Sequence, residues 1–322
     1  MINSIQYLRG LAAVLVVYYH ATIKSVQNNL PAAEVFNFGQ AGVDLFFIIS
    51  GFIICFSTDK HTFSAPRFLK SRVLRIIPLY WFFTLLALLV FLVVPNLVNS
   101  SGGETVIWKS FFLVPTEDKY LVRNGWTLSY EFYFYFIFAL FAVFFIKRSL
   151  VFLPLLLLAL IGCFNNAHFY FDSYLIEFAM GVISFIMYKN KVAVKYNLIL
   201  LFFMFFSLLA MHLLEVDSVV FYYAFIMWFI FHGSLVLEQL IKVSKLQSFK
   251  NLLFKLGDSS YSLYLSHAFT LVVLNKIMLL IMPNVGKELY LFLLTFISII
   301  VGHLVYVLIE LKLNSYCKKL FN

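Results

Sequence analysis

The chain has 322 residues, of which 63% are hydrophobic and 12% charged, with 40 Phe, 19 Tyr and a formal charge of +9. A soluble domain runs about 45–50% apolar and about 25% charged, and no core could bury the excess, which excludes a water-soluble globular protein. At roughly 20 residues per span, the length holds about ten membrane helices and no sizeable extramembrane domain, so one all-α polytopic domain over 1–322 is expected.

Apolar runs bounded by charge or by Pro, Gly and Asn predict helices over 5–24, 41–58, 73–94, 126–146, 150–164, 171–188, 196–213, 219–237, 260–282 and 289–311. In the first, the apolar stretch after Arg9 ends in Tyr18-Tyr19-His20 without a clean small-residue cleavage site, so it reads as a retained helix and not a signal peptide. The second carries Asp44 near its start and Ser50-Gly51 in its middle, and the third opens with Arg72 and Arg75. A long connection, roughly 95 to 125, comes next, with Trp108, Gly102-Gly103 and charges of both signs; it reads either as a cap over a site or as a plain surface loop. The fourth helix carries Glu131, and the sixth carries Glu177 as a lone intramembrane carboxylate. In the ninth, Tyr261 and Tyr264 precede His267 by two turns and one turn. His212, His232 and His303 fall in or at helix ends and His61 and His168 in connections, and nothing sets them apart from packing residues.

Basic residues are retained on the cytoplasmic side. Alternate connections hold seventeen Lys and Arg (60, 67, 70, 72, 75, 147, 148, 189, 191, 195, 242, 245, 250, 255, 312, 318 and 319) against five (24, 109, 119, 123 and 287). Both termini are therefore expected in the cytoplasm. The same bias accounts for the +9 without nucleic acid. Cys55, Cys163 and Cys317 lie far apart and form neither a disulfide framework nor a metal-spaced pair, so no metal is expected.

Ionisable groups inside the bilayer default to functional candidates. Arg9 and His20 are eleven residues apart on one helix, hence offset by only about 20° around the axis and about 16 Å along it. Asp44 and Glu131 begin inward-running helices and are expected near the depth of His20, where a carboxylate on one imidazole nitrogen makes the other a better base. Arg72 and Arg75, three residues apart on one face, are expected at the depth of Arg9. Three guanidiniums at one level suit a phosphorylated ligand from the cytoplasm, although the inside bias alone would also put them there.

Five stretches in order then carry a resemblance. They are QYLRGLAAVLVVYYHA with Arg9 and His20, GVDLFFIISGFII from Gly42 to Ile54, FLKSRVLRIIPLYW with Arg72, Arg75, Pro78 and Tyr80-Trp81, WTLSYEFYFY with Trp126, Leu128, Glu131, Phe134 and Tyr135, and the weaker LGDSSYSLYLSH ending at His267. The chain resembles, over nearly its full length, the acyltransferase 3 family of bacterial membrane O-acyltransferases. The resemblance implies a multi-pass protein of the bacterial inner membrane that passes an acyl group, most often acetyl, from cytoplasmic acyl-CoA to a hydroxyl of a surface carbohydrate such as O-antigen, capsule or exopolysaccharide. It implies acetyl-CoA as donor substrate, no tightly bound cofactor, and a carbohydrate acceptor that is free or lipid-linked. By position it assigns His20 as the catalytic group, with Glu131 or Asp44 to orient it, and Arg9, Arg72 and Arg75 as CoA contacts. Ser50, Tyr264 and His267 are further candidates.

Two departures stand out. Phe132 and Tyr133 come after Glu131 where relatives often have an acidic residue and Gln, and the chain ends about ten residues after its last helix, so the esterase-like domain of many relatives is not expected. A transporter or flippase, which also places ionisable groups in the bilayer, and a glycan polymerase are the rival classes. Mid-span Pro is nearly absent, and the outer connection holds only Glu104, Glu117 and Asp118 as acids; both features favour acyl transfer.

Overall fold

A computed structural model describes residues 2–59, 62–98, 104–144, 147–164, 169–172, 174–191, 219–243 and 247–321. The predicted helix over 196–213 lies outside the described residues, as do His61, His168 and His212. The helices, in chain order, are α1 (Asn3–Gln27), α2 (Ala41–Thr58), α3 (Ala65–Val93), α4 (Pro95–Val98), α5 (Ile107–Phe112), α6 (Gly125–Ala142), α7 (Phe152–Phe164), α8 (Tyr174–Lys189), α9 (Val219–Val243), α10 (Gln247–Asp258), α11 (Ser260–Ile281), α12 (Lys287–Val305) and α13 (Leu311–Phe321). No strand is present among the described residues, only an isolated bridge between Thr105 and Lys119. Five helical stretches are long and apolar enough to cross a membrane: Asn37–Thr58, Ala65–Val93, Phe169–Lys189, Ser260–Ile281 and Lys287–Phe321. The chain is a multi-pass membrane protein.

Three departures from the predicted elements have local causes. Helix α3 begins eight residues early, at Ala65, because Pro66 occupies the first turn, where its missing N–H is no loss. Arg72 and Arg75 consequently lie in its third and fourth turns instead of opening it. Helices α12 and α13 are joined by a π-turn, Tyr306–Glu310, into one stretch of 35 residues, and at about 1.5 Å per residue it outruns a hydrocarbon layer of about 30 Å. Helix α10 is an unpredicted amphipathic segment whose Phe249, Leu252, Leu253 and Leu256 recur at helical spacing.

The described chain forms two compact units, each built from three separate segments of sequence. The first comprises Met1–Ile23, Glu34–Thr62 and Phe145–Ser260. Here α2 and α8 run parallel in backbone contact. A Cβ on Gly51 would lie 2.2 Å from the Phe178 carbonyl oxygen, and one on Gly181 would lie 2.1 Å from that of Ile48, so only glycine permits the crossing. Aromatic rings fill the space on either side: Phe47 packs on Tyr174 and Phe178, and Phe52 on Phe185 and on Phe231 of α9. Lys189 closes the far end with two hydrogen bonds to Asp59, at 2.8 and 2.7 Å.

The second unit comprises Lys24–Ala33, Phe63–Phe144 and Tyr261–Asn322. Phe68 of α3 meets Tyr135 and Phe138 of α6, and the Tyr261 hydroxyl of α11 donates to the Ile76 carbonyl of α3 at 2.8 Å. On the other side of α11, Gly302 of α12 lies against Leu263, and the Tyr290 hydroxyl donates to Asn275 at 2.7 Å. The long connection folds along the side of α3. Tyr80 and Trp81 donate to the carbonyls of Ser110 and Phe111, at 2.6 and 2.9 Å. That attachment lies about 18 Å before the end of α3, at 1.5 Å per residue.

Candidate active site

Helix α1 is unbroken from Asn3 to Gln27, and its part in the first unit carries both Arg9 and His20, so their spacing is rigid, at about 16 Å along the axis and nearly in line. His20 is half-buried, with its ring edge-on to Tyr19 and its Nδ1 2.9 Å from the Val16 carbonyl oxygen. A carbonyl only accepts, so Nδ1 carries the proton and Nε2 presents the lone pair of the neutral ring. The backbone of α1 thus fixes the tautomer.

Asp44 does not take that part. Its buried carboxyl meets Glu177 of α8, one turn from the packing of Phe47 on Tyr174 and Phe178. Glu177, expected to stand alone, is the other half of a buried carboxyl pair. The depth expected of Asp44 also shifts. Gly42 already lies against Ala12 and Val16, which places Asp44, two residues further on, roughly 12 Å along α1 from His20. Ser50 is half-buried beside Gly51 at the α2–α8 crossing. His232 proves to be a core histidine: Ser184 Oγ, which donates to the Met180 carbonyl at 2.8 Å, takes contacts from Trp228 Nε1 at 2.7 Å and His232 Nε2 at 3.0 Å.

In the second unit, α6 lines up Asn124, Thr127, Glu131 and Tyr135, at spacings of three, four and four, on one face. The Tyr135 hydroxyl donates to Glu131. Tyr264 is tied to the same face twice, its hydroxyl 2.8 Å from Thr127 Oγ1 and its carbonyl accepting from Asn124 Nδ2 at 2.6 Å. His267 is fully buried, its Nδ1 3.2 Å from the Leu263 carbonyl and its ring 5.9 Å from that of Tyr264. The Arg72 guanidinium lies over the Phe68 and Tyr135 rings, at 5.3 and 5.8 Å, whereas Arg75, one turn on, is exposed. Arg72 is thus held by cation–π contact and Arg75 is open to a ligand. A groove of about 780 Å³ between α3 and α5, lined by Trp81, Leu85, Trp108, Phe111 and Phe112 among others, contains none of the candidate residues.

The order of these features along the chain is that of a known family, and the acyltransferase domain of the acyltransferase 3 type matches residues 2–308. The chain belongs to the acyltransferase 3 family. It is an acyltransferase, and the match covers every candidate residue from Arg9 to His267. The chain is also 30% identical over 301 residues to the "Exopolysaccharide production protein ExoZ" of Rhizobium meliloti (strain 1021), covering 85% of this chain and 89% of that protein. No solved structure matches the acyltransferase.

Sequence reasoning missed two partners of the candidates. Tyr135 lies four residues after Glu131, a spacing that places both on one helix face and was there to be read. The Asp44–Glu177 pair joins two helices 133 residues apart in the chain, and no local pattern announces it.

Proposed function

We propose that this acyltransferase moves an acetyl group from acetyl-CoA, bound from the cytoplasm, to a hydroxyl of an exopolysaccharide or its lipid-linked precursor at the bacterial inner membrane. Ten spans with both termini cytoplasmic belong to this proposal. Its main support is the pairing of Arg9 and His20 on one unbroken helix, together with the similarity to an exopolysaccharide production protein. A CoA molecule is long, with phosphates at one end and the thioester at the other. A rigid spacing of about 16 Å suits a ligand anchored at its phosphates and reacting at its tip.

In the proposed reaction, Arg9, Arg72 and Arg75 hold the phosphates, and Nε2 of His20 takes the proton of the acceptor hydroxyl. The hydroxyl oxygen attacks the thioester carbonyl, the C–S bond breaks, and the departing thiolate takes up the proton from the imidazolium. Glu131, whose carboxylate accepts from the Tyr135 hydroxyl, is the second candidate acid–base group of this proposal. Anchoring the donor far from the reacting atoms converts binding into positioning.

Comparing the surface polysaccharide of cells with and without the gene by mass spectrometry tests this reading. A loss of one acetyl per repeat unit in the deletion supports it, and an unchanged polysaccharide overturns it.

A further inference from the structure

Three contacts in the first unit link Arg9 to the fifth motif, LGDSSYSLYLSH, which the proposed reaction otherwise leaves without a task. Arg9 Nη1 donates to Gln6 Oε1 at 3.3 Å. Gln6 Nε2 donates to Asp258 Oδ1 at 2.5 Å. Between them, α1 meets the α10–α11 junction backbone to backbone: a Cβ on Gly257 would lie 2.1 Å from the Gln6 carbonyl oxygen, and one on Gly10 would lie 2.9 Å from the Gly257 nitrogen.

The chemistry of the three side chains fixes their order. A guanidinium only donates and an ionised carboxylate only accepts, whereas a Gln amide does both, one function at each end. Placed between an Arg and an Asp, the amide has one satisfactory orientation, with its oxygen toward the Arg. Gln6 is 3% exposed, so the alternative orientation, with its NH2 facing the guanidinium, leaves a buried donor opposite a donor. Asp258 therefore sets the polarity of Gln6, and Gln6 presents an acceptor to Arg9. The glycine pair keeps the distance short: a side chain at residue 257 would displace the Gln6 backbone by about 1.3 Å, the gap between that contact and ordinary van der Waals separation.

We propose that Gln6 and Asp258 are positioning residues for Arg9, a relay that holds its guanidinium in the orientation in which it takes the phosphates of acyl-CoA, with Gly10 and Gly257 as the backbone contact that permits the relay. This rests on the reading of Arg9 as a CoA contact. It gives the Gly-Asp of the fifth motif a role at the donor end of the site.

The test uses the full-length protein in nanodiscs, with acetyl transfer measured against acetyl-CoA concentration. Asp258→Leu removes the acceptor, and the KM for acetyl-CoA is expected to rise roughly tenfold, the effect of one lost hydrogen bond to a charged group, with kcat within about twofold. Asp258→Asn, whose side-chain oxygen still accepts from Gln6, retains a KM near that of the wild type. In an Arg9→Ala background, which itself raises KM, Asp258→Leu adds nothing further, because its effect passes through Arg9. The inference is overturned if Asp258→Leu leaves KM unchanged, if Asp258→Asn is as defective as Asp258→Leu, or if the effects of Asp258→Leu and Arg9→Ala multiply. Where Asp258→Leu does not insert stably, Asp258→Ser, too short to reach Gln6, serves the same comparison. A thermal-stability cycle of Gln6→Leu with Asp258→Leu reads the contact without CoA. Coupling there together with an unchanged KM in Arg9→Ala shows that the Arg9 reading has failed while the contact stands; no coupling overturns the relay itself.

Discussion

The substitution Gly181→Ala tests how α2 and α8 are held. The added Cβ would lie 2.1 Å from the Ile48 carbonyl oxygen and 2.9 Å from the Gly51 Cα, where ordinary contact begins at 3.4 Å. The helices must separate by about 1.3 Å to admit it, a gap that forfeits roughly a quarter to a half of the dispersion attraction across the crossing. The tilted Phe47–Phe178 ring pair, with centroids 4.6 Å apart, opens with them. Overpacking of this kind costs about 1–3 kcal/mol, and the upper end applies because the obstacle is backbone and cannot rotate away. Gly233→Ala is the matched control: nothing lies within 4 Å of its Cβ position, and Ala is a better helix former than Gly by about 1 kcal/mol. Thermal unfolding of the purified variants, monitored by fluorescence-detected size exclusion, is expected to show Gly181→Ala melting well below wild type and Gly233→Ala at or above it. If Gly181→Ala melts with the wild type, the backbone crossing does not hold these helices.

Tyr135→Phe deletes the hydroxyl that donates to Glu131 and keeps the ring against Phe68; kcat is expected to fall about tenfold, the effect of one lost hydrogen bond to a charged group, with KM for acetyl-CoA unchanged, and wild-type turnover in this variant would remove Glu131 from the proposed reaction. Asn124→Leu removes the 2.6 Å bond to the Tyr264 carbonyl, which keeps its own helical donor in α11, and is expected to cost about 1 kcal/mol, as is Tyr264→Phe, which loses the bond to Thr127; unfolding midpoints check both. In the long connection, hydrogen bonds from Lys109 and Thr116 hold the Asp118 carboxyl below its ordinary value. A lowered carboxylate contributes fully above about pH 3.9 and is lost as pH falls through its lower folded value. Amide protection factors over 104–119, taken relative to intrinsic exchange at each pH, are therefore expected to be flat from neutral pH to about 5 and to fall only in stronger acid, while Asp118→Asn lowers them at neutral pH.

Periodicity and composition carried the helices because apolar runs of bilayer length leave little else to form. Helix α2 agrees residue for residue over 41–58. The start of α3 was legible in principle, since Pro66 favours a first turn, but the basic residues after it read as a connection. Helix α10 was missed because its apolar face is short and broken by Lys250, Asn251 and Lys255. At the site, features internal to a single helix were readable: the alignment of Arg9 with His20, and the stripe from Asn124 to Tyr135. Features that depend on tertiary packing were not. Glu177 reads as an isolated carboxylate until α8 lies against α2, and Gln6 as an ordinary polar residue until Asp258 arrives from 252 positions away.

At the centre of the proposed mechanism, His20 is the base that activates the acceptor hydroxyl. The most direct measurement is transfer of isotope-labelled acetyl from acetyl-CoA to purified exopolysaccharide by wild-type and His20→Ala proteins in nanodiscs, with equal folding verified by their melting curves. Label is expected in the polysaccharide with the wild type and none above background with His20→Ala, while both bind acetyl-CoA equally. Full transfer by a folded His20→Ala protein would contradict this role for His20.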